Sequence, residues 1–66
     1  MDRLKEFRKN QGLSQEMMAK KLGMTLSMYE KVEQGRANAS SGFMKRFKNA
    51  FPSESIDYIF FAAQQQ

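Results

Sequence analysis

Residues 25–34, TLSMYEKVEQ, put two carboxylates, Glu30 and Glu33, three positions apart, the spacing of neighbours one helical turn apart. A carboxylate pair does general acid–base work when a pocket separates the two pKa values, and this pair has polar neighbours and no sequence sign of a pocket. The rest of the inventory argues against catalysis. The 66 residues include no His and no Cys, which removes imidazole bases, thiolate nucleophiles, disulfide frameworks and nearly all transition-metal sites, so no metal and no cofactor is expected. A chain of this size buries only about 60% of its unfolded surface and has little room for an enclosed active site. An enzyme is the least favoured class, and a binding module the most favoured.

Charge says what such a module would bind. The formal net charge is +4, and all eleven Lys and Arg precede Pro52. Residues 1–52 therefore carry +6, while residues 53–66, with Glu54 and Asp57, carry −2. The basic part should face a polyanion. No apolar run reaches the roughly 18 residues of a membrane span, and Asp2, Arg3, Lys5 and Glu6 interrupt any signal-peptide core, so a reducing, cytoplasmic setting is expected.

The elements that position these residues are helical. Apolar residues recur at helical spacing between four Gly and one Pro, which predicts an all-α chain of five short helices in a single domain over residues 1–62, with a frayed tail at 63–66. The first helix, near residues 2–10, turns Leu4 and Phe7 inward and stops before Gly12. The second runs from its N-cap Ser14 to Leu22, buries Met18, Ala19 and Leu22, and ends at Gly23. The third has Thr25 as N-cap and Gly35 past its end. At 100° per residue Tyr29 and Val32 form its inner face, Met28 its margin, and Ser27, Glu30, Lys31 and Gln34 its outer face, with Leu26 at the boundary. The fourth, near residues 41–51, buries Phe43, Met44, Phe47, Ala50 and Phe51, shows Lys45, Arg46 and Lys48 as a solvated face, and is stopped by Pro52. The fifth begins at Ser53 or Ser55, reaches about Ala62, and carries Ile56, Ile59 and Phe60 at core spacing. Tyr58 and Phe61 exceed what one stripe requires. Only "GMT" separates the second helix from the third, so the two must cross sharply, and Ala19 leaves room for the close approach.

At this point the sequence resembles a family. "LKEFRKNQGLSQEMMAKKLGMTLSMYEKVEQG" is similar to the helix-turn-helix domain of lambda-repressor and Cro type, the XRE family, most specifically in "GLSQEMMAKKLG" and "YEKVEQG". The resemblance implies a five-helix lambda-repressor-like domain that lays its third helix in the major groove of double-stranded DNA. It implies a homodimer on a pseudo-palindromic operator, acting as a transcriptional repressor by occupancy, with no small-molecule effector. Carried over by position, Thr25, Leu26, Ser27 and Lys31 would face bases, Gln15, Arg36 and Asn38 would meet phosphate, and Arg8 and Glu33 would form an internal ion pair. Tyr58 and Phe61 would supply a dimer contact. The chemistry of the tip agrees, because Lys31 can donate to guanine O6 or N7, Ser27 can donate or accept, and Leu26 can cover a thymine methyl. The base-facing positions Thr25, Leu26, Ser27 and Lys31 lack a bidentate amide or guanidinium, so phosphate contacts and DNA shape should carry much of the recognition. Leu26 has a competing role as a satellite core residue against Met24 or Met28. The competing function is an antitoxin-like module that binds a partner protein through the fifth helix.

Overall fold

A computed structural model describes residues 2–61 of the chain, as four α-helices and a terminal π-helical turn. The elements are α1 (Asp2–Asn10), α2 (Gln15–Leu22), α3 (Leu26–Glu33), α4 (Ser41–Ala50) and π1 (Asp57–Phe61), and no strand occurs among the described residues. The tail expected at 63–66 lies outside them.

Local chemistry sets the boundaries. Ser14, Thr25 and Ser40 each take an extended backbone conformation, and each side-chain oxygen accepts from the amide three residues on, at Met17, Met28 and Phe43. Each bond satisfies one of the amides that a helix start leaves without a partner. At the far end of α2, Gly23 adopts φ +71°, its N–H reaches Lys20 O at 3.0 Å, and the Met24 N–H reaches Ala19 O at 3.0 Å. This paired closure needs a left-handed residue, which glycine enters without the Cβ clash that other residues suffer. The same pattern closes α1 at Gly12–Leu13 and α3 at Gly35–Arg36.

One core joins all five elements. Leu4 and Phe7 of α1, Met18, Ala19 and Leu22 of α2, Tyr29 and Val32 of α3, Phe43 and Phe47 of α4, and Ile59 and Phe60 of π1 are buried. Aromatic rings run through its centre. Phe47 meets Phe7 and Phe60 edge-on at 5.3 Å each, Phe60 meets Phe43 at 5.9 Å, and Phe43 stacks on Tyr29 at 6.2 Å. Such pairs add roughly 0.5–1.5 kcal/mol each beyond area burial, which helps a chain this short.

Two expectations need correction. Residues 57–61 form a π-helical turn rather than an α-helix: only its entry is α-like, where the Ser55 hydroxyl accepts from the Tyr58 N–H and the Ser55 carbonyl from the Ile59 N–H. The turn brings the adjacent residues Ile59 and Phe60 both into the core. On α4, Met44 and Ala50, and Phe51 at its C-cap, are half-buried at the edge of the core, and only Phe43 and Phe47 are enclosed, because α4 covers one side of a small domain.

Candidate nucleic-acid interface

The three residues Gly23, Met24 and Thr25 link α2 to α3. Because α2 ends in a left-handed glycine and Thr25 at once caps α3, the connection holds no unconstrained residue. Beyond it α3 has an exposed outer side: Thr25 at the N-cap, Leu26 and Ser27 in the first turn, and Lys31 in the last turn are all exposed. Leu26 is 37% exposed and Met28 48%, so Leu26 belongs to the surface of the tip rather than to a satellite core. Ser27 and Lys31, four positions apart, share one face. The Thr25 hydroxyl oxygen accepts from the Met28 amide at 3.2 Å, which leaves its own O–H as a donor.

The opposite face of α3 is anchored by one carboxylate. Arg8 grips Glu33 with two parallel bonds, Nε to Oε2 at 2.8 Å and Nη2 to Oε1 at 3.1 Å, while its Nη1 donates to the Leu13 carbonyl at 2.8 Å. Gln15 Nε2 donates to Glu33 Oε1 at 3.0 Å, and the Tyr29 hydroxyl donates to Glu33 Oε2. The ion pair is enclosed, with the Glu33 side chain only 3% exposed. Among the described residues no buried side-chain nitrogen or oxygen lacks a partner. The cluster ties α1, the 11–14 loop and the start of α2 to the end of α3, and so fixes how far α3 projects.

Electrostatics follow from this packing. Burial pushes the Glu33 carboxyl up, but hydrogen bonds from Arg8, Tyr29 and Gln15, with the Arg8 charge, outweigh it and hold the carboxyl below its ordinary value. The bond to Glu33 raises Arg8 against the opposing effect of burial. Burial first, then the bond to Glu33, raises Tyr29, so the phenol stays protonated and keeps donating. A carboxyl lower in the folded than in the unfolded state contributes stability that is fully present above the unfolded value and is lost as pH falls through the folded one. Glu33→Gln abolishes that titration. In urea unfolding at a series of pH values, the wild-type chain is expected to lose stability on acidification more steeply than Glu33→Gln, so that the gap between them narrows. Parallel pH dependences would contradict this account of Glu33.

The other candidates surround the tip or lie away from it. Gln15 is half-buried at the first turn of α2, and its amide nitrogen carries a second hydrogen besides the one given to Glu33. Arg36 is exposed and donates through Nε to Gln34 Oε1 at 3.0 Å. Asn38 is exposed two residues before the N-cap of α4. Tyr58 and Phe61 are 56% and 37% exposed on π1. The Arg3 guanidinium lies 4.2 Å from the centre of the Tyr58 ring and donates to the Tyr58 carbonyl at 3.2 Å, which fastens π1 to the start of α1.

Four residues make contacts that the sequence does not announce. Periodicity gives Tyr29 only as an inner-face residue, although a buried phenol needs a partner and Glu33 stands four positions on. Arg3 left no periodic signal. Arg46 was grouped with a solvated face, whereas its Nη1 donates to the Gly23 carbonyl at 3.0 Å and the Leu22 carbonyl at 3.4 Å. Lys48, from the same face, donates to the Glu54 carbonyl at 2.7 Å.

The arrangement is a short helix, anchored through Glu33, with hydroxyl, ammonium and apolar groups facing outward. No helix among the described residues is long and apolar enough to cross a membrane. A family model described as Helix-turn-helix matches residues 4–59. No curated protein and no solved structure matches the chain.

Proposed function

The chain belongs to the helix-turn-helix family of XRE/Cro/C1 type, a DNA-binding and non-enzymatic family, and from that premise we propose that it is a homodimeric transcriptional repressor that acts by occupying a pseudo-palindromic operator. One observation carries this reading furthest: Thr25, Leu26 and Ser27 at the start of α3, and Lys31 one turn further on, are exposed, while Glu33 at its end is held by the buried cluster.

In this reading α3 enters the major groove tip first. Lys31 donates to a guanine edge, the Ser27 and Thr25 hydroxyls bond a neighbouring edge, and Leu26 covers a thymine methyl. Gln15, Arg36 and Asn38 contact phosphates and fix the register of the tip. Gln15 has a double part, because the amide that braces Glu33 also has a second hydrogen for a phosphate oxygen. The exposed rings of Tyr58 and Phe61 form the two-fold contact, which sets two copies of α3 about 34–36 Å apart, one turn of DNA. Repression then requires occupancy alone.

Sedimentation of the protein alone and on a duplex enriched from a random pool tests the dimer. Two protomers per duplex are expected, with Tyr58→Ser/Phe61→Ser weakening the assembly. A single protomer on every duplex would overturn the dimer, and a stable complex with an unrelated protein that competes with DNA-free self-association would favour a hetero-partner on π1.

A further inference from the structure

We propose that Arg46, on α4, is a positioning residue for DNA reading: it pins the turn between α2 and α3 and so sets the direction of the α3 tip. The inference rests on the DNA-binding reading above, but concerns a side chain that belongs to neither helix of the motif.

The carbonyls at the end of α2 lead to it. A helix leaves its last four carbonyls without partners inside the helix. Here the amides of Gly23 and Met24 take those of Lys20 and Ala19. The carbonyls of Leu22 and Gly23, at the point where the chain swings toward α3, instead accept from Arg46 Nη1 at 3.4 and 3.0 Å. A guanidinium at that place also opposes the partial negative charge of the helix C-terminus. The approach is close: a Cβ added to Gly23 would stand 3.0 Å from the same Nη1, and the guanidinium would have to give by a few tenths of an ångström.

The consequence for reading is geometric. Gly23 is two residues before the N-cap Thr25 and three before Leu26, so a shift of the turn passes directly into the first turn of α3. The bonds that Thr25 and Ser27 would make to base edges tolerate only a narrow range of distance and angle. Arg46 also lines the groove between α3 and α4 with Met24, Met28, Asn38 and Ser40, so it joins the turn to the helix whose Phe43 and Phe47 are set in the core. Arg8 and Glu33 hold the far end of α3 and Arg46 holds the near one. A direct phosphate contact by Arg46 would be a different role, with a different signature.

The test compares wild type, Arg46→Met and Arg46→Lys on two duplexes, the best one enriched from a random pool and a scrambled one of the same length and composition. Amide hydrogen exchange at Gly23 and Met24 is measured in parallel, well below the thermal midpoint of each variant. Arg46→Met is expected to weaken the preferred duplex about tenfold, keep the affinity for the scrambled duplex and the salt slope, and speed exchange at both amides. Arg46→Lys, which retains a charged donor, should recover most of the discrimination. Equal losses on both duplexes with the salt slope reduced by about one would overturn the proposal in favour of a phosphate contact. Unchanged discrimination in Arg46→Met would overturn it too, whatever happens to the melting temperature. A wild-type chain that prefers no duplex is a failure of the DNA-reading premise, visible before any variant is made, and it takes this role down with it.

Discussion

Arg8→Ala is expected to cost the fold about 3–5 kcal/mol, because it takes the guanidinium fork away from the enclosed Glu33 carboxylate. Three bonds go at once: two to Glu33 and one to the Leu13 carbonyl. Gln15 and Tyr29 remain as donors, but both are neutral and cannot balance a buried negative charge. A domain of this length has a total stability on the order of 3–10 kcal/mol, so the variant loses about a third of it or more, and all of it at the low end of that range. Arg8→Lys keeps the charge and loses the planar fork, and should fall between the two. Urea unfolding followed by circular dichroism measures both. A loss below about 0.5 kcal/mol in Arg8→Ala, the range of ordinary surface substitutions, would show that the ion pair does not organise the domain.

The second large effect concerns function. Leu26→Ala/Ser27→Ala is expected to reduce the discrimination between preferred and scrambled duplex by about 1–2 kcal/mol, roughly 5- to 30-fold, and to leave the salt dependence unchanged. Both side chains are exposed and lie at the helix start, so the variant should fold as the wild type does. The comparison separates reading from attraction, since Gln15, Arg36 and Asn38, the side chains proposed to contact phosphate, are untouched. Retained discrimination in a folded double variant would move sequence reading away from the α3 tip.

How much of this was legible in the sequence depended on how local the signal was. The bounds of α1 to α3 followed from Ser14, Thr25 and three left-handed glycines, each acting within a few residues of itself. The inner face of α3 followed from periodicity at Tyr29 and Val32, both enclosed in the core. The Arg8–Glu33 pairing came from family resemblance, because 25 positions separate the partners and no local rule joins them. The π-helical form of residues 57–61 was not legible. Ile56, Tyr58, Ile59, Phe60 and Phe61 offer apolar side chains at nearly every position, so the pattern does not select one turn width over another. Arg46 was hidden for another reason. Its acceptors are backbone carbonyls on a different element, which every residue possesses, and a long guanidinium stem reads as solvated until the two helices are placed together.

The outer face of α3 shows the same division. Periodicity placed Ser27 and Lys31 outward without any knowledge of DNA, and the exposure of both agrees. That they read bases is an inference from the family and from their donors and acceptors, and the modest recognition chemistry of this face makes the expected discrimination modest too.

Selection of wild-type-bound sequences from a random duplex pool, followed by a salt titration on the best site, decides whether α3 reads DNA. The account predicts one two-fold symmetric motif with half-sites a helical turn apart, and log K falling steeply and linearly with log salt concentration. An unenriched pool, with only weak salt-sensitive binding, would contradict it and mean that the α2–turn–α3 unit is a scaffold rather than a reader in this chain.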